Sequence, residues 1–223
     1  RRAVKIAPGK AGHAFDKAAG LFFEINPAAE VKCLIRATNL DAFHTEIVAT
    51  VAAEGQATRW RLSANLMNSV VGSLPPKSGS LVKFVQDGTK LSIQAGKMKA
   101  TLYLMDPDSY PDWDMFDSED LTMVGGLGSR MAAVEWAAAN TGVPPLCGVY
   151  LDGEYAVATD RYRLVRVPCK FDIKRPVIVP AGILGTSLKQ MGDTGVRVDE
   201  HQLLLAPDDY TQLAVSIYES NYP

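Results

Sequence analysis

Apolar and polar residues alternate along much of the chain in short runs. These runs are rich in β-branched and aromatic side chains and are bounded by turn-forming pairs such as Asp87-Gly88, a combination that predicts half-buried strands. In the first half, the predicted strands cover residues 21–25, 31–38, 45–51, 80–85, 90–94 and 97–105. In the second half, they cover residues 148–151, 155–159, 164–167, 195–198, 202–206 and 212–218.

A different spacing, typical of a helix, follows Ser63. Leu66, Val70 and Leu74 recur every four residues, which places them on one helical face. Ser63 is a suitable N-cap, and Pro75 ends the pattern. The sequence therefore predicts one amphipathic helix between the strands of the first half.

The second half contains two helical patterns. Residues 127–140 carry one apolar stripe and are followed by Gly-Val-Pro-Pro at 142–145, which ends the helix. The stripe consists of Leu127, Met131, Val134 and Ala138. Residues 181–191 form another helical pattern, which stops at Gly192, and residues 1–6 have the pattern of the last turn of a further helix.

The two halves repeat one order of elements: strands, one helix, then three strands that end at Tyr-Pro. The following short matches support the repeat: Ala37-Thr38-Asn39 with Ala158-Thr159-Asp160, Arg61-Leu62-Ser63-Ala64 with Ile178-Val179-Pro180-Ala181, and Ser109-Tyr110-Pro111 with Asn221-Tyr222-Pro223. We therefore predict an α+β fold with two copies of one domain. The copies span residues 1–113 and 121–223, with residues 114–120 as an acidic linker between them.

Composition indicates a folded protein without the charge of a groove-reading DNA binder. Hydrophobic residues make up 47% of the 223, and the formal net charge is −2. Three cysteines lie far apart with no C-x-x-C spacing, which predicts reduced thiols rather than disulfides or a zinc site. No apolar run approaches the roughly 20 residues that span a bilayer, and we expect a soluble, cytoplasmic protein.

The sequence gives little support to a catalytic function. The acidic residues of the linker could hold a divalent ion for a nuclease or phosphoesterase, but Asp117 occupies the place where a calcium-binding loop needs glycine. The glycine-rich residues 125–129 lack the Lys-Ser/Thr of a phosphate-binding loop. His13, His44 and His201 lie in separate segments without a partnered motif. We expect no catalytic residue, metal or cofactor.

A family resemblance rests on the beginning of the second half. Residues 146–150, Leu-Cys-Gly-Val-Tyr, and residues 156–164, Ala-Val-Ala-Thr-Asp-Arg-Tyr-Arg-Leu, resemble the central-domain signature of the beta subunit of bacterial DNA polymerase III, the beta sliding clamp. The order of the other segments resembles this family along nearly the whole chain. The resemblance implies tandem sliding-clamp domains, with antiparallel sheets outside and helices lining the lumen of a ring of two protomers.

The function implied by the resemblance is that of a non-enzymatic processivity factor. It would encircle double-stranded DNA without sequence preference and tether DNA polymerase, the clamp loader and repair proteins through short linear peptides. A family member would begin upstream of Arg1 and continue past Pro223 into a third domain. The chain is therefore expected to be a fragment, or a shortened viral relative, with an inactive clamp relative as a further alternative.

The resemblance also assigns three sets of residues. The partner-peptide site corresponds to Leu146, Thr159, Arg161, Tyr162, Arg163, Leu164 and Pro223, and Arg161 stands where the family usually has a small residue. If helices line the lumen, the candidate DNA-binding cations are those on or beside the helical patterns: Arg1, Arg2, Lys5, Lys10, Arg130 and Lys189. The strand at the protomer interface contributes Lys97, Lys99, Thr101 and Tyr103.

Each assignment has a purely structural alternative. The two leucines of the peptide site could belong to the core, the cations could lie on solvated helix faces, and the interface strand could be interior. Trp60 and Trp136 are expected in the core rather than as platforms for stacked bases.

Overall fold

The computed structural model describes residues 3, 6–7, 18–50, 52–74, 81–188 and 192–223. The chain divides into two compact units. The first consists of Arg1–Leu40 with Thr45–Trp113, and the second of Asp41–His44 with Asp114–Pro223. Among the described residues, no helix has the length and apolar character needed to cross a membrane.

The first unit contains two groups of strands separated by a helix. The first group has the sheet order β4-β1-β2-β3, and its strands are β1 (Leu21–Ile25), β2 (Cys33–Thr38), β3 (Ala42–Ile47) and β4 (Thr58–Leu62). The part of β3 that belongs to this unit is Thr45–Ile47. The second group is an antiparallel meander of β5 (Lys83–Asp87), β6 (Lys90–Ala95) and β7 (Met98–Tyr103). The apolar face of this meander is buried and contains Leu91, Ile93 and Leu102.

Helix α1 (Ala64–Gly72) begins at the predicted N-cap but buries a different face. The hydroxyl of Ser63 accepts a hydrogen bond from the backbone N–H of Leu66. The buried side chains are those of Ala64, Met67 and Val70, whereas Leu66 is 54% exposed, so the predicted stripe through Leu66 is wrong. Positions three residues apart share a helical face as positions four apart do, and spacing alone did not distinguish the two faces.

The second unit has the same arrangement, and among the described residues a short strand and a helix precede its four-stranded group. A short strand, β8 (Thr122–Val124), precedes helix α2 (Leu127–Val134) and a 3-10 turn (Glu135–Ala137). The remaining elements are β9 (Gly148–Leu151), β10 (Tyr155–Thr159), β11 (Leu164–Pro168), β12 (Val177–Pro180), α3 (Leu184–Leu188), β13 (Thr194–Val198), β14 (Gln202–Asp208) and β15 (Thr211–Ser216). The sheet orders are β12-β9-β10-β11 and β8-β13-β14-β15.

The strand orders reveal the repeat directly. In both units four strands are ordered fourth, first, second, third; one helix follows; and a three-stranded meander completes the unit. Each unit also stacks the tyrosine of its Tyr-Pro pair on an aromatic ring of its first strand. Tyr110 stacks on Phe22 with ring centroids 5.1 Å apart, and Tyr222 stacks on Tyr150 at 4.9 Å. The predicted α+β repeat is therefore present in the structure.

Several predicted boundaries differ from those observed. The apolar stripe of residues 127–140 is buried as predicted, but the helix ends at Val134, because a 3-10 turn follows and Ala138 is extended. The strand predicted at 45–51 begins earlier, at Ala42, because the preceding turn is only three residues long. Residues 189–191 of the predicted last helix lie outside the described residues.

Helices α2 and α3 approach each other through glycines. A β-carbon built on Gly128 would overlap the carbonyl oxygen of Leu188, and one built on Gly185 would overlap the side chain of Glu135 and the backbone of Ala132. Both glycines and Leu188 are buried. The close packing of the two helices therefore depends on the absence of side chains at these positions.

We expect Gly128→Ala to lower the free energy of unfolding by about 1–3 kcal/mol, the usual cost of overpacking a core. Gly72→Ala is the matched control, because Gly72 also lies in a helix but has open space around its Cα. There alanine should be neutral or stabilising, by up to ~1 kcal/mol. Urea unfolding of both variants measures the difference, and equal effects would contradict this account of the helix contact.

Candidate functional site

The turn between β10 and β11 is fixed by the side chain of Thr159. Its hydroxyl donates to the carbonyl oxygen of Arg163 over 2.7 Å and accepts from the backbone N–H of Arg161 over 3.1 Å. The same residue pairs with Leu164 across the two strands. Thr159 thus closes the turn and sets the register in which β11 begins.

Asp160 holds the other side of this turn. Its carboxylate accepts hydrogen bonds from the backbone N–H groups of Arg163 and Tyr162, at 2.9 and 3.0 Å, and forms an ion pair with the Arg163 guanidinium at 2.9 Å. The N–H of Arg163, then that of Tyr162 and the guanidinium charge, lower the pKa of Asp160 below its usual value. The carboxylate is therefore ionised at neutral pH and holds the turn in one conformation.

This rigid turn presents large side chains to solvent. Tyr162 is 96% exposed and Leu164 is 65% exposed, so the alternative that Leu164 belongs to the core is wrong. Strand alternation also exposes Arg166, whose guanidinium lies 3.3 Å from the centroid of the Tyr155 ring. Tyrosine and arginine are residue types that often dominate the energetics of protein interfaces.

Trp136 adds a further aromatic group to this surface. The Arg163 guanidinium lies 5.1 Å from the centroid of its ring, and the indole N–H donates to the carbonyl oxygen of Ala133. Trp136 is 57% exposed, so its predicted place in the core is wrong, whereas Trp60 is buried as predicted. The sequence already indicated that Trp136 is exposed, because position 136 lies on the helical face opposite the apolar stripe.

Glu135 precedes Trp136 in the 3-10 turn Glu135–Ala137 and connects this turn to the beginning of α3. Its carboxylate accepts a hydrogen bond from the backbone N–H of Gly185 at 3.1 Å. Burial raises the pKa of Glu135, and the N–H groups of Gly185, Gly182 and Leu184 oppose that rise. The carboxyl group thus fixes the residue beside Trp136 to the neighbouring helix.

The two remaining peptide-site residues lie elsewhere in the second unit. Leu146 is only 6% exposed and belongs to the core. Pro223 lines an open groove of about 860 Å³ together with Tyr150, Ile178 and Tyr222. No residue from Thr159 to Leu164 is among the described residues that line this groove. The structure therefore brings together Thr159, Arg161, Tyr162, Arg163 and Leu164, but does not place Leu146 or Pro223 on the same exposed surface.

The predicted interface strand lies at the end of its sheet. In the described part of the first unit, β7 has β6 as its single neighbour in a three-stranded sheet. The side chains of Lys97, Lys99, Thr101 and Tyr103 are exposed. The alternative of an interior strand is wrong for this arrangement, and a partner for the free edge of β7 remains a prediction.

Arg130 is the one predicted DNA-binding cation within the described residues. It is half-buried, and its guanidinium lies beside the thiol of Cys169, where it opposes the rise in the pKa of Cys169 that burial causes. Arg1, Arg2, Lys5, Lys10 and Lys189 lie outside the described residues. All three cysteines are free thiols, as predicted.

The acidic segment does not assemble a metal site. Among the described residues, which include all of 106–120, no group of three or more His, Cys, Asp or Glu side chains is arranged to hold an ion. Asp112 instead pairs with Arg36 at 2.6 Å, and the Arg36 guanidinium lies 5.5 Å from the centroid of the Trp113 ring. These contacts anchor the end of the first unit and were not predicted.

The repeated four-strand, helix, three-strand unit defines a class of tandem α+β proteins, and solved structures identify the fold within that class. Over its whole length the chain is similar to the DNA polymerase III beta subunit of Thermotoga maritima, with a TM-score of 0.80, 20% identity and 63% of that chain covered. It is also similar to the DNA polymerase III beta chain of Streptococcus pneumoniae, with a TM-score of 0.79, 16% identity and 62% covered.

A further similar structure is the Helicobacter pylori beta clamp bound to a DNA ligase peptide, with a TM-score of 0.72, 14% identity, the whole of this chain covered and 64% of that chain. The chain thus has the sliding-clamp fold, which confirms the predicted fold class, and spans less than two thirds of the length of these three proteins. No protein-family model and no curated protein matches the sequence.

We expect the stability difference between the parent and Glu135→Gln to depend on pH. Because the pKa of Glu135 is raised in the folded state, its contribution to stability is fully present below the usual value of 4.5 and is lost as the pH rises through the folded-state pKa. The glutamine variant, which cannot ionise, should therefore gain stability relative to the parent as the pH rises above the usual pKa of 4.5.

Urea unfolding at a series of pH values measures this difference. Glu154→Gln removes an exposed carboxylate from the same unit and is the control. A difference that does not change with pH, or that favours the parent at pH 7, would contradict the effect of burial on Glu135.

Proposed function

We propose that this chain forms part of a DNA sliding clamp, a non-catalytic processivity factor that encircles duplex DNA and tethers replication proteins. The observation that carries the proposal is the repeated strand, helix and strand topology, which matches known sliding clamps over the whole chain with a TM-score of 0.80. The two units would be the first and central domains of the clamp. Such a factor would act in the cytoplasm.

The formal net charge of −2 is compatible with a DNA partner of this kind. A ring is held on DNA by its closed topology and needs only weak, sequence-independent attraction to phosphates. A groove-reading protein, in contrast, needs a concentrated basic face. The six assigned cations are proposed to supply this weak attraction.

The exposed edge of β7 supports a proposal for ring closure. An exposed strand edge invites pairing with another strand, and lysine side chains such as those of Lys97 and Lys99 discourage unspecific pairing. Pairing of this edge with a second protomer would close the ring and remove the free edge. A homodimer of the complete protein is therefore part of the proposal.

The surface around Tyr162 and Leu164 is proposed as the docking site for partner peptides. A leucine and a tyrosine that remain exposed on a rigid turn offer apolar contact area at a small cost in conformational entropy. The Helicobacter pylori clamp with a bound DNA ligase peptide supports a partner of this type. DNA polymerase, a clamp loader and repair proteins are the expected owners of such peptides.

If the proposal is correct, retention of the complete protein on DNA should be topological. After loading by its matching loader at physiological salt, the protein should remain on nicked circular DNA and be released when a restriction enzyme linearises the circle. Gel filtration of the DNA fraction before and after cleavage measures the retained protein. Equal retention on both forms would rule out a sliding clamp.

We expect Leu164→Ala in the complete protein to weaken binding of a polymerase tail peptide by about 2 kcal/mol or more, the scale of an interface hot spot. Because Leu164 is 65% exposed, thermal unfolding should change little. Leu81→Ala is the control, since Leu81 is 71% exposed and lies in the first unit. Unchanged affinity on isothermal titration would mean that the surface does not bind the peptide.

A further inference from the structure

Arg161 occupies a backbone conformation that favours glycine. Its φ of 79° lies in the left-handed region, where a β-carbon is sterically unfavourable. Residues kept in such conformations often have a functional reason, because glycine would be accommodated there at no steric cost. The hydroxyl of Thr159 and the carboxylate of Asp160 hold the turn around it.

The side chain of Arg161 is exposed to solvent. Among the described residues, its guanidinium has no hydrogen-bond or ion-pair partner. The neighbouring arginines differ in this respect, because Arg163 pairs with Asp160 and lies over Trp136, and Arg166 lies over Tyr155. Arg161 is therefore the cation of this surface that is available to a ligand.

The local charge is opposite in sign to that of the whole chain. Between Thr159 and Arg166 the sequence has three cationic residues and one anionic residue, Asp160, whereas the formal net charge of the chain is −2. This cationic excess surrounds the exposed Tyr162 and Leu164. The surface thus combines apolar contact area with positive charge that the described residues do not fully neutralise.

We infer that the ligand of this surface is a peptide segment with an acidic side chain next to its apolar residues, and that Arg161 determines this preference. The inference rests on the proposed peptide-docking function and adds the chemistry of the ligand. A carboxylate of the peptide pairs with the Arg161 guanidinium while an apolar side chain covers Leu164. A DNA phosphate would also attract Arg161, but it would leave the exposed leucine without a contact.

The test uses the complete protein and three labelled synthetic peptides with the same two central leucines. Their flanking residues are aspartate, asparagine or lysine. Fluorescence anisotropy should show about fivefold tighter binding of the aspartate peptide than of the asparagine peptide, the scale of an exposed ion pair. Arg161→Glu should reverse the order in favour of the lysine peptide, and the preference should decrease as salt is raised.

Two further variants serve as controls. Arg161→Gly relieves the backbone strain and should remove the preference without reversing it. Arg59→Glu introduces the same charge change at an exposed arginine of the first unit and should leave the preference intact. Thermal unfolding of each variant verifies that it is folded.

The outcomes separate this inference from the proposed function. If the three peptides bind equally well to the parent, and Leu164→Ala weakens all of them, the docking site stands and the acidic preference is wrong. If no peptide binds, both fail. If Arg161→Glu weakens binding of a labelled DNA duplex but leaves the order of the peptides unchanged, the ligand of Arg161 is a phosphate and the inference is overturned.

Discussion

The arrangement of both units depends on one contact, the hydrogen bond that the hydroxyl of a threonine at the end of a strand accepts from the backbone of the following turn. Thr159, the last residue of β10, and Thr38, the last residue of β2, each accept a hydrogen bond from the backbone N–H two residues later. That residue has a positive φ in both cases, 79° at Arg161 and 74° at Leu40. A short turn of this kind returns the chain immediately, so the next strand begins in a fixed register with a fixed set of exposed side chains.

The repeat is conserved as a set of contacts more than as a set of residues. Phe22 and Tyr150 occupy matching positions on the first strands and each receives a stacked tyrosine. Their partners on the fourth strands differ in chemistry, since Phe22 lies opposite Arg61 and Tyr150 opposite Ile178. The buried Arg61 is tolerated because it donates to backbone oxygens of Ala19 and Asp106.

Sequence patterns predicted the strands best and the side-chain environments least. β1, β9 and β10 have the predicted bounds, because alternation and flanking turns act locally. β8 was missed since three residues are too few to show a period, and its pairing with β13 is long-range. The turn residues of the candidate site follow from the motif, but the exposure of Trp136 and the anchoring of Glu135 depend on a 3-10 turn that the helical pattern does not contain.

Because of its position, the intrinsic fluorescence of Trp136 can report on this surface without an added label. Its indole ring is more than half exposed, lies under the Arg163 guanidinium and is joined through the adjacent Glu135 to the start of α3. Trp60, in contrast, is buried in β4. Covering the surface with another molecule would remove water from one indole while leaving Trp60 in an unchanged environment, so the emission wavelength of the protein carries its own readout of occupancy.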